Sequence, residues 1–256
     1  MIRSFRISFF STLTAALALS AAPAQAIVGS AAPAPGDVAA HVVMVLNSED
    51  GSAGFCTGVV IAPDVVLTAA HCVPKGAGLR IHFPSDGDKP VMLPVVAVAR
   101  HPDYHADAIK TRERSIDLAL VRLKATLPDR FTPATLARSA GAKVGSQFVI
   151  AGYGLGREGQ PSTSGQLRSA KLVTRAPVSD VLLWSEDPAK AGTGACTGDS
   201  GGPVMAEGRA EISALVLWSA GQGSHQCGDL TQSLWLSPHR GWIDRVLQAW
   251  GSGPGL

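Results

Sequence analysis

Along most of its length the chain repeats one local pattern. A short run of β-branched or apolar residues is closed each time by Gly, Pro, Asn or Asp. Such runs occupy residues 42–46, 57–61, 65–68, 91–98, 118–123, 148–151 and 214–218. They are too short for ordinary helices and too regularly punctuated for a helical bundle. The pattern is that of an all-β sandwich or barrel, and the two are equally compatible with it. One stretch departs from it. Trp242, Ile243, Val246, Leu247 and Trp250 fall at helical spacing and predict a C-terminal amphipathic helix whose stripe packs on the core. No internal repeat interrupts the body of the chain.

Residues 1–26 read as a signal peptide. Arg3 and Arg6 supply a positive start, residues 9–19 are apolar but short for a membrane span, and Ala24-Gln25-Ala26 is a small-x-small cleavage site. The expected location is therefore secreted or periplasmic, with cleavage after Ala26. The remaining 230 residues are enough for one large core or two smaller ones acting as one unit. Of the 22 basic residues, two lie in the leader, which leaves 20 against 20 acidic ones and a formally neutral mature chain. Nothing in that balance calls for nucleic acid, or for a membrane after cleavage. Four cysteines in an exported chain read as two disulfides, for which three pairings exist.

The chemistry concentrates in Gly198-Asp199-Ser200-Gly201-Gly202-Pro203. Glycines around a serine permit positive φ and close approach of another main chain. A turn of this kind can aim backbone N–H groups at one point, as an oxyanion requires. The serine needs a base, normally a histidine that a carboxylate orients. His71, in Leu67-Thr68-Ala69-Ala70-His71-Cys72, and Asp117, in Ser115-Ile116-Asp117-Leu118-Ala119-Leu120, are the candidates. His41, His82, His101, His105, His225 and His239 have no comparable context and receive no role.

At these motifs the sequence resembles the chymotrypsin/trypsin-like serine proteases. The order His, Asp, Ser is that family's. Ile27-Val28-Gly29-Ser30, His101-Pro102-Asp103-Tyr104, Ala151-Gly152-Tyr153-Gly154 and the helix around Trp242 fall in place as well. The resemblance covers nearly all of the chain after residue 26. It implies two six-stranded antiparallel β-barrels and a C-terminal α-helix, with the site in the cleft between the barrels. The protease domain then spans 27–256, the first barrel about 27–130 and the second about 131–256, with the crossing at 125–135. It implies that His71 is the general base, that Asp117 orients it and that Ser200 is the nucleophile. Gly198 and Ser200 supply the oxyanion N–H groups. It selects the disulfides Cys56–Cys72 and Cys196–Cys227. Protein or peptide substrates, and protein inhibitors, are the implied partners. No cofactor is called for.

The resemblance also assigns the specificity pocket to Gly194, Ser219 and Thr231. An uncharged floor and side chains at the other two positions imply a small aliphatic residue before the scissile bond. The loop from Ser219 to Cys227 is longer than usual, and Asp229 is close enough in sequence to offer the alternative of a basic preference. A catalytically silent homologue that binds proteins through the cleft is the other alternative. Leu217 stands where relatives have a serine that hydrogen-bonds the catalytic aspartate, which leaves Asp117 short of a partner. Asp86-Gly87-Asp88 falls near a calcium loop of some relatives. Two short carboxylates do not supply the roughly six to eight oxygens that ion needs, and no metal is expected. Finally, the cleavage site abuts Ile27. Its freed amine would pair with Asp199, so that export itself activates the enzyme.

Overall fold

The computed structural model describes residues 27–253 apart from 50, 86, 88 and 112. The signal-peptide segment, Asp86 and Asp88 lie outside the described residues.

Six antiparallel strands form the first barrel: β1 (Val42–Glu49), β2 (Ser52–Ala62), β3 (Val65–Thr68), β4 (Gly78–Pro84), β5 (Pro90–Arg100) and β6 (Ala119–Leu123). The order β1-β2-β3-β6-β5-β4 closes through pairing of β1 with β4. The second barrel comprises β7 (Gln147–Gly152), β8 (Arg168–Thr174), β9 (Leu182–Glu186), β10 (Pro203–Ala206), β11 (Ile212–Ala220) and β12 (Leu230–Trp235). It closes in the order β7-β8-β9-β12-β11-β10, again antiparallel throughout. Closure leaves no free sheet edge, which is why these short strands need no covering layer. The architecture is therefore two six-stranded barrels rather than a sandwich.

The interiors follow from the sequence. β3 is buried at all four positions, and β4 and β8 alternate buried with exposed residues. The second barrel encloses Ile150, Leu172, Leu183, Val204, Val216 and Trp235. Ile27 packs in that core as well, and Val28 exchanges both backbone hydrogen bonds with Gly194, at 3.1 and 3.2 Å. Residues 32–33 pair with β8. Residues 27–33 thus belong spatially to the second barrel. The link between β6 and β7 runs along the first barrel, where Ala134 N–H donates to Val60. It joins the second barrel where Ile212 N–H donates to Thr135.

The C-terminal helix α1 (Arg240–Trp250) buries Ile243 and Leu247, with Trp242, Val246 and Trp250 packed partly against the core. It ends at Gly251, whose φ of 65° sits in the left-handed region, and Gly251 and Ser252 donate back to Gln248 and Leu247. Among the described residues no helix is long and apolar enough to cross a membrane.

Candidate active site

β3 runs out through Ala69 into a single 3-10 turn, Ala70–Cys72, which carries His71. The Cys56–Cys72 disulfide ties that turn to β2. Asp117 sits just before β6 between the buried Ile116 and Leu118, so the flanking residues fix its backbone. Its Oδ2 lies 2.6 Å from His71 Nδ1, and its Oδ1 accepts the His71 backbone N–H at 2.9 Å. The carboxylate partner assigns the proton to Nδ1, leaving Nε2 as the acceptor. Among the described residues, both hydrogen bonds to Asp117 come from His71. Neither flanking serine reaches it: Ser219 Oγ donates to the Gln226 carbonyl, and Ser213 is buried elsewhere in β11. Tyr104 stands close by, and burial followed by the Asp117 charge pushes its phenol up.

Ser200 lies on a loop clasped by both barrels. From the first barrel, Thr57 N–H donates to the Ser200 carbonyl at 2.9 Å and Thr57 Oγ1 donates to the Gly198 carbonyl at 2.9 Å. From the second, Gly201 and Gly202 exchange hydrogen bonds with Val216. Gly201 has φ +81°, and a Cβ there would stand 2.2 Å from the Thr57 carbonyl, so only glycine fits. Ser200 Oγ donates to the Leu217 carbonyl at 3.0 Å. That carbonyl is free because β11 carries a bulge between Val216 and Trp218, which leaves Leu217 outside the ladder with β12. The Ser200 carbonyl and His71 Nε2 both lie within 4 Å of the Cys72 sulfur, at 3.8 and 3.6 Å. Among the described residues, the Gly198 and Ser200 N–H groups donate to no protein acceptor. Cys56, His71 and Cys72 cluster closely enough for a metal, but both sulfurs are spent in the disulfide and are no thiolates.

Asp199 is fully buried. It accepts N–H groups from Gly154 at 2.8 Å and Cys196 at 2.9 Å. Gly152 and Gly154 make room for its carboxyl, since a Cβ at either would lie within 3 Å of it. Among the described residues no cation faces it, and burial pushes its carboxyl up to about 7.

The three predicted pocket residues come together. Ser219 pairs with Thr231 across β11 and β12. Thr231 Oγ1 accepts the Ala195 N–H at 3.0 Å. A Cβ on Gly194 would meet Thr231 Oγ1 at 3.3 Å and Gly228 Cα at 3.1 Å. Asp229 stands apart from them. Its carboxylate accepts from Gln222 at 3.3 Å, lies 3.9 Å from Arg175 and faces a separate cavity of about 540 Å³. Cys196–Cys227 forms as expected. Thr57, Asp187 and Gly228, which shape the site from outside, carry no sequence signal of their own beyond their residue types.

The profile of the family described as Trypsin matches residues 27–233. The chain belongs to that family of trypsin-like serine proteases. Trypsin-4 of Rattus norvegicus is 28% identical over 232 residues, 83% of this chain and 87% of that one. Coagulation factor XII of Sus scrofa is 32% identical over 201 residues, 68% of this chain but only 32% of the longer factor. Among solved structures, neuropsin, a serine protease of mouse brain, aligns over 85% of this trypsin-family chain with a TM-score of 0.67 at 20% identity. A structure titled GrC aligns over 86% with a TM-score of 0.70 at 21% identity. Each solved chain is covered to 99%. The two solved folds are thus reproduced almost whole.

Proposed function

We propose that the protein is an exported serine endopeptidase that hydrolyses peptide bonds through an acyl-enzyme. The observation that carries this reading is the 2.6 Å His71–Asp117 hydrogen bond beside the clasped Ser200 loop. In the resting protein the Ser200 hydroxyl donates to Leu217. With substrate bound it turns about its side-chain bond to His71 Nε2, which takes its proton as Oγ attacks the carbonyl carbon. The oxyanion that forms is held by the N–H groups of Gly198 and Ser200, which among the described residues have no protein acceptor to give up; such donors are worth about 3 kcal/mol each. The imidazolium protonates the leaving amine, and water repeats the sequence on the acyl-serine. Asp117 holds the ring and stabilises its transient charge. Among the described residues it has only His71 as hydrogen-bond partner, and it depends on that residue for its own orientation.

The pocket reading favours a small aliphatic residue before the scissile bond. Gly228 and the Thr231 hydroxyl both lie close against Gly194, which would leave a long side chain little depth. Asp229 gives little support to a basic preference, because Gln222 and Arg175 already engage it. Activation rests on Ile27. Once residues 1–26 are removed, its amine would pair with the buried Asp199 carboxylate and replace a costly unpaired charge with an ion pair, a reading that the burial of Ile27 in the second barrel supports. Protein inhibitors would bind as substrates do, through the same cleft.

Labelling with a fluorophosphonate tests the chemistry, and a peptide-library cleavage profile tests the pocket. A chain that takes up no label would be a silent homologue. Cleavage after arginine that disappears in Asp229→Ala would replace the small-residue preference with a basic one.

A further inference from the structure

We propose that Asp187 is a positioning residue for substrate recognition, holding the segment that forms the floor of the specificity pocket; this rests on the peptidase reading above. Asp187 follows β9 directly and is almost fully buried, 6% exposed. Its Oδ1 accepts the Ala189 N–H at 2.9 Å, and its Oδ2 accepts those of Ala191 at 2.9 Å and Thr193 at 3.1 Å. One carboxylate thus fixes alternate residues of a segment that contains no strand or helix. Burial pushes this carboxyl up, but the backbone donors and the Thr193 hydroxyl outweigh it and hold it below the ordinary carboxylate range. Among the described residues Asp187 makes no ion pair; neighbouring Lys190 engages Glu186 instead. Its charge is therefore directed at the backbone.

What the segment touches gives the clasp its consequence. The Gly192 carbonyl lies against Gly228, where a Cβ would come within 2.3 Å of it. Thr193 Oγ1 accepts the Ser30 N–H at 3.1 Å, and Gly194 is bonded to Val28 in both directions. The same residues form the pocket floor and the seat of the N-terminal strand. Packing holds Thr193 and Gly194, which are buried, but residues 188–192 are exposed, and Asp187, Ala191 and Gly192 border a cavity of about 540 Å³. A loop backed by empty space on one side keeps its shape through hydrogen bonds. The Cys196–Cys227 disulfide anchors the far end of the segment, and Asp187 anchors the near end.

The test compares Asp187→Ala and Asp187→Asn with the unsubstituted enzyme, each processed from the full-length chain. The probes are diisopropyl fluorophosphate, which reacts with the serine without a side chain for the pocket, and a peptide ester bearing alanine before the scissile bond. We expect kcat/KM on the peptide to fall about 10- to 100-fold through KM, as a small misplacement far from the chemistry can do. The labelling rate should stay near that of the parent, and Asn, which keeps one acceptor oxygen, should lie between. In parallel, amide hydrogen exchange is measured on full-length chains carrying Ser200→Ala. Faster exchange confined to peptides covering 188–194 supports the clasp. Unchanged KM and exchange, or equal losses in labelling and peptide turnover, would overturn it. Absence of labelling in the unsubstituted enzyme would sink the peptidase reading, and the exchange result would still report on the clasp.

Discussion

A serine hydroxyl becomes a useful nucleophile only when a base removes its proton, so Ser200 and His71 should fail as a unit. Either one replaced by alanine is expected to lower kcat on a peptide ester by about a million-fold, and the double substitution scarcely further. Steady-state kinetics on the three variants checks this. Asp199 makes a prediction of a different kind. Its carboxyl, ordinarily near 3.8, is raised to about 7 by burial in the full-length chain. The unfolded chain therefore ionises first as pH rises. The contribution of Asp199 to stability is full below about pH 4 and is lost as pH climbs through about 7. Asp199→Asn should flatten that slope in urea titrations of the uncleaved chain, and should disable the processed enzyme by removing the partner of the Ile27 amine. The candidate residues were legible because glycines, histidine and cysteine stand beside them in short contiguous strings. The Leu217 carbonyl that receives the Ser200 hydroxyl was not, since a bulge rather than a residue type exposes it. Asp187 was hidden for the same reason: what it does depends on backbone N–H groups, which every residue has.

At the level of elements, the strands read correctly from sequence are those made of continuous apolar runs, such as Val65–Thr68. Gly78–Pro84 and Arg168–Thr174 escaped because they alternate between a barrel interior and its outside, and Leu230–Trp235 because polar residues interrupt it although its end is buried on both sides. Arg80, Arg168, Lys171 and Gln232 break any apolar run, although the buried-exposed alternation of Gly78–Pro84 was there to be read. Pro203–Ala206 was too short to stand out. Helix α1 was legible from its spacing, but the histidines at its seat were not. His239 is buried, edge-on to His101 at 5.1 Å, with Trp242 at 5.0 Å from the same ring. Burial, then the neighbouring His101 and Arg114 charges, push His239 down to about 4, while Asp103 acts weakly in the other direction. A depressed histidine contributes stability above about pH 6.5 that is lost as pH falls towards about 4. Thermal melts across that window should show the loss, and His239→Gln should reduce it. Ile243→Ala, in the buried stripe of α1, should cost about 2–5 kcal/mol at any pH.

Taken as a whole, the molecule is two closed barrels whose shared product is one loop. Thr57 makes the joint. Its hydroxyl donates to Gly198 and accepts the Tyr153 N–H at 3.0 Å, its own N–H donates to Ser200, and it is fully buried. Thr57→Val keeps the shape and strips both hydroxyl bonds. It should cost about 1–3 kcal/mol of stability, and kcat should fall because the nucleophile loop loses its grip on the first barrel. Denaturant midpoints and kcat measured on the same preparation would separate the two losses. The disulfides tell when such an assembly comes into being. Cys72 adjoins His71, and Cys196 lies four residues before Ser200; each crosslink thus ends beside a proposed catalytic residue. While the chain remains in a thiol-reducing cytosol, neither bond persists. There the general base and the nucleophile would each hang on an unbraced turn, quite apart from the leader still attached to Ile27. The producing cell would thus be shielded from its own product twice, once by an uncut peptide bond and once by the redox state of the place where it is made.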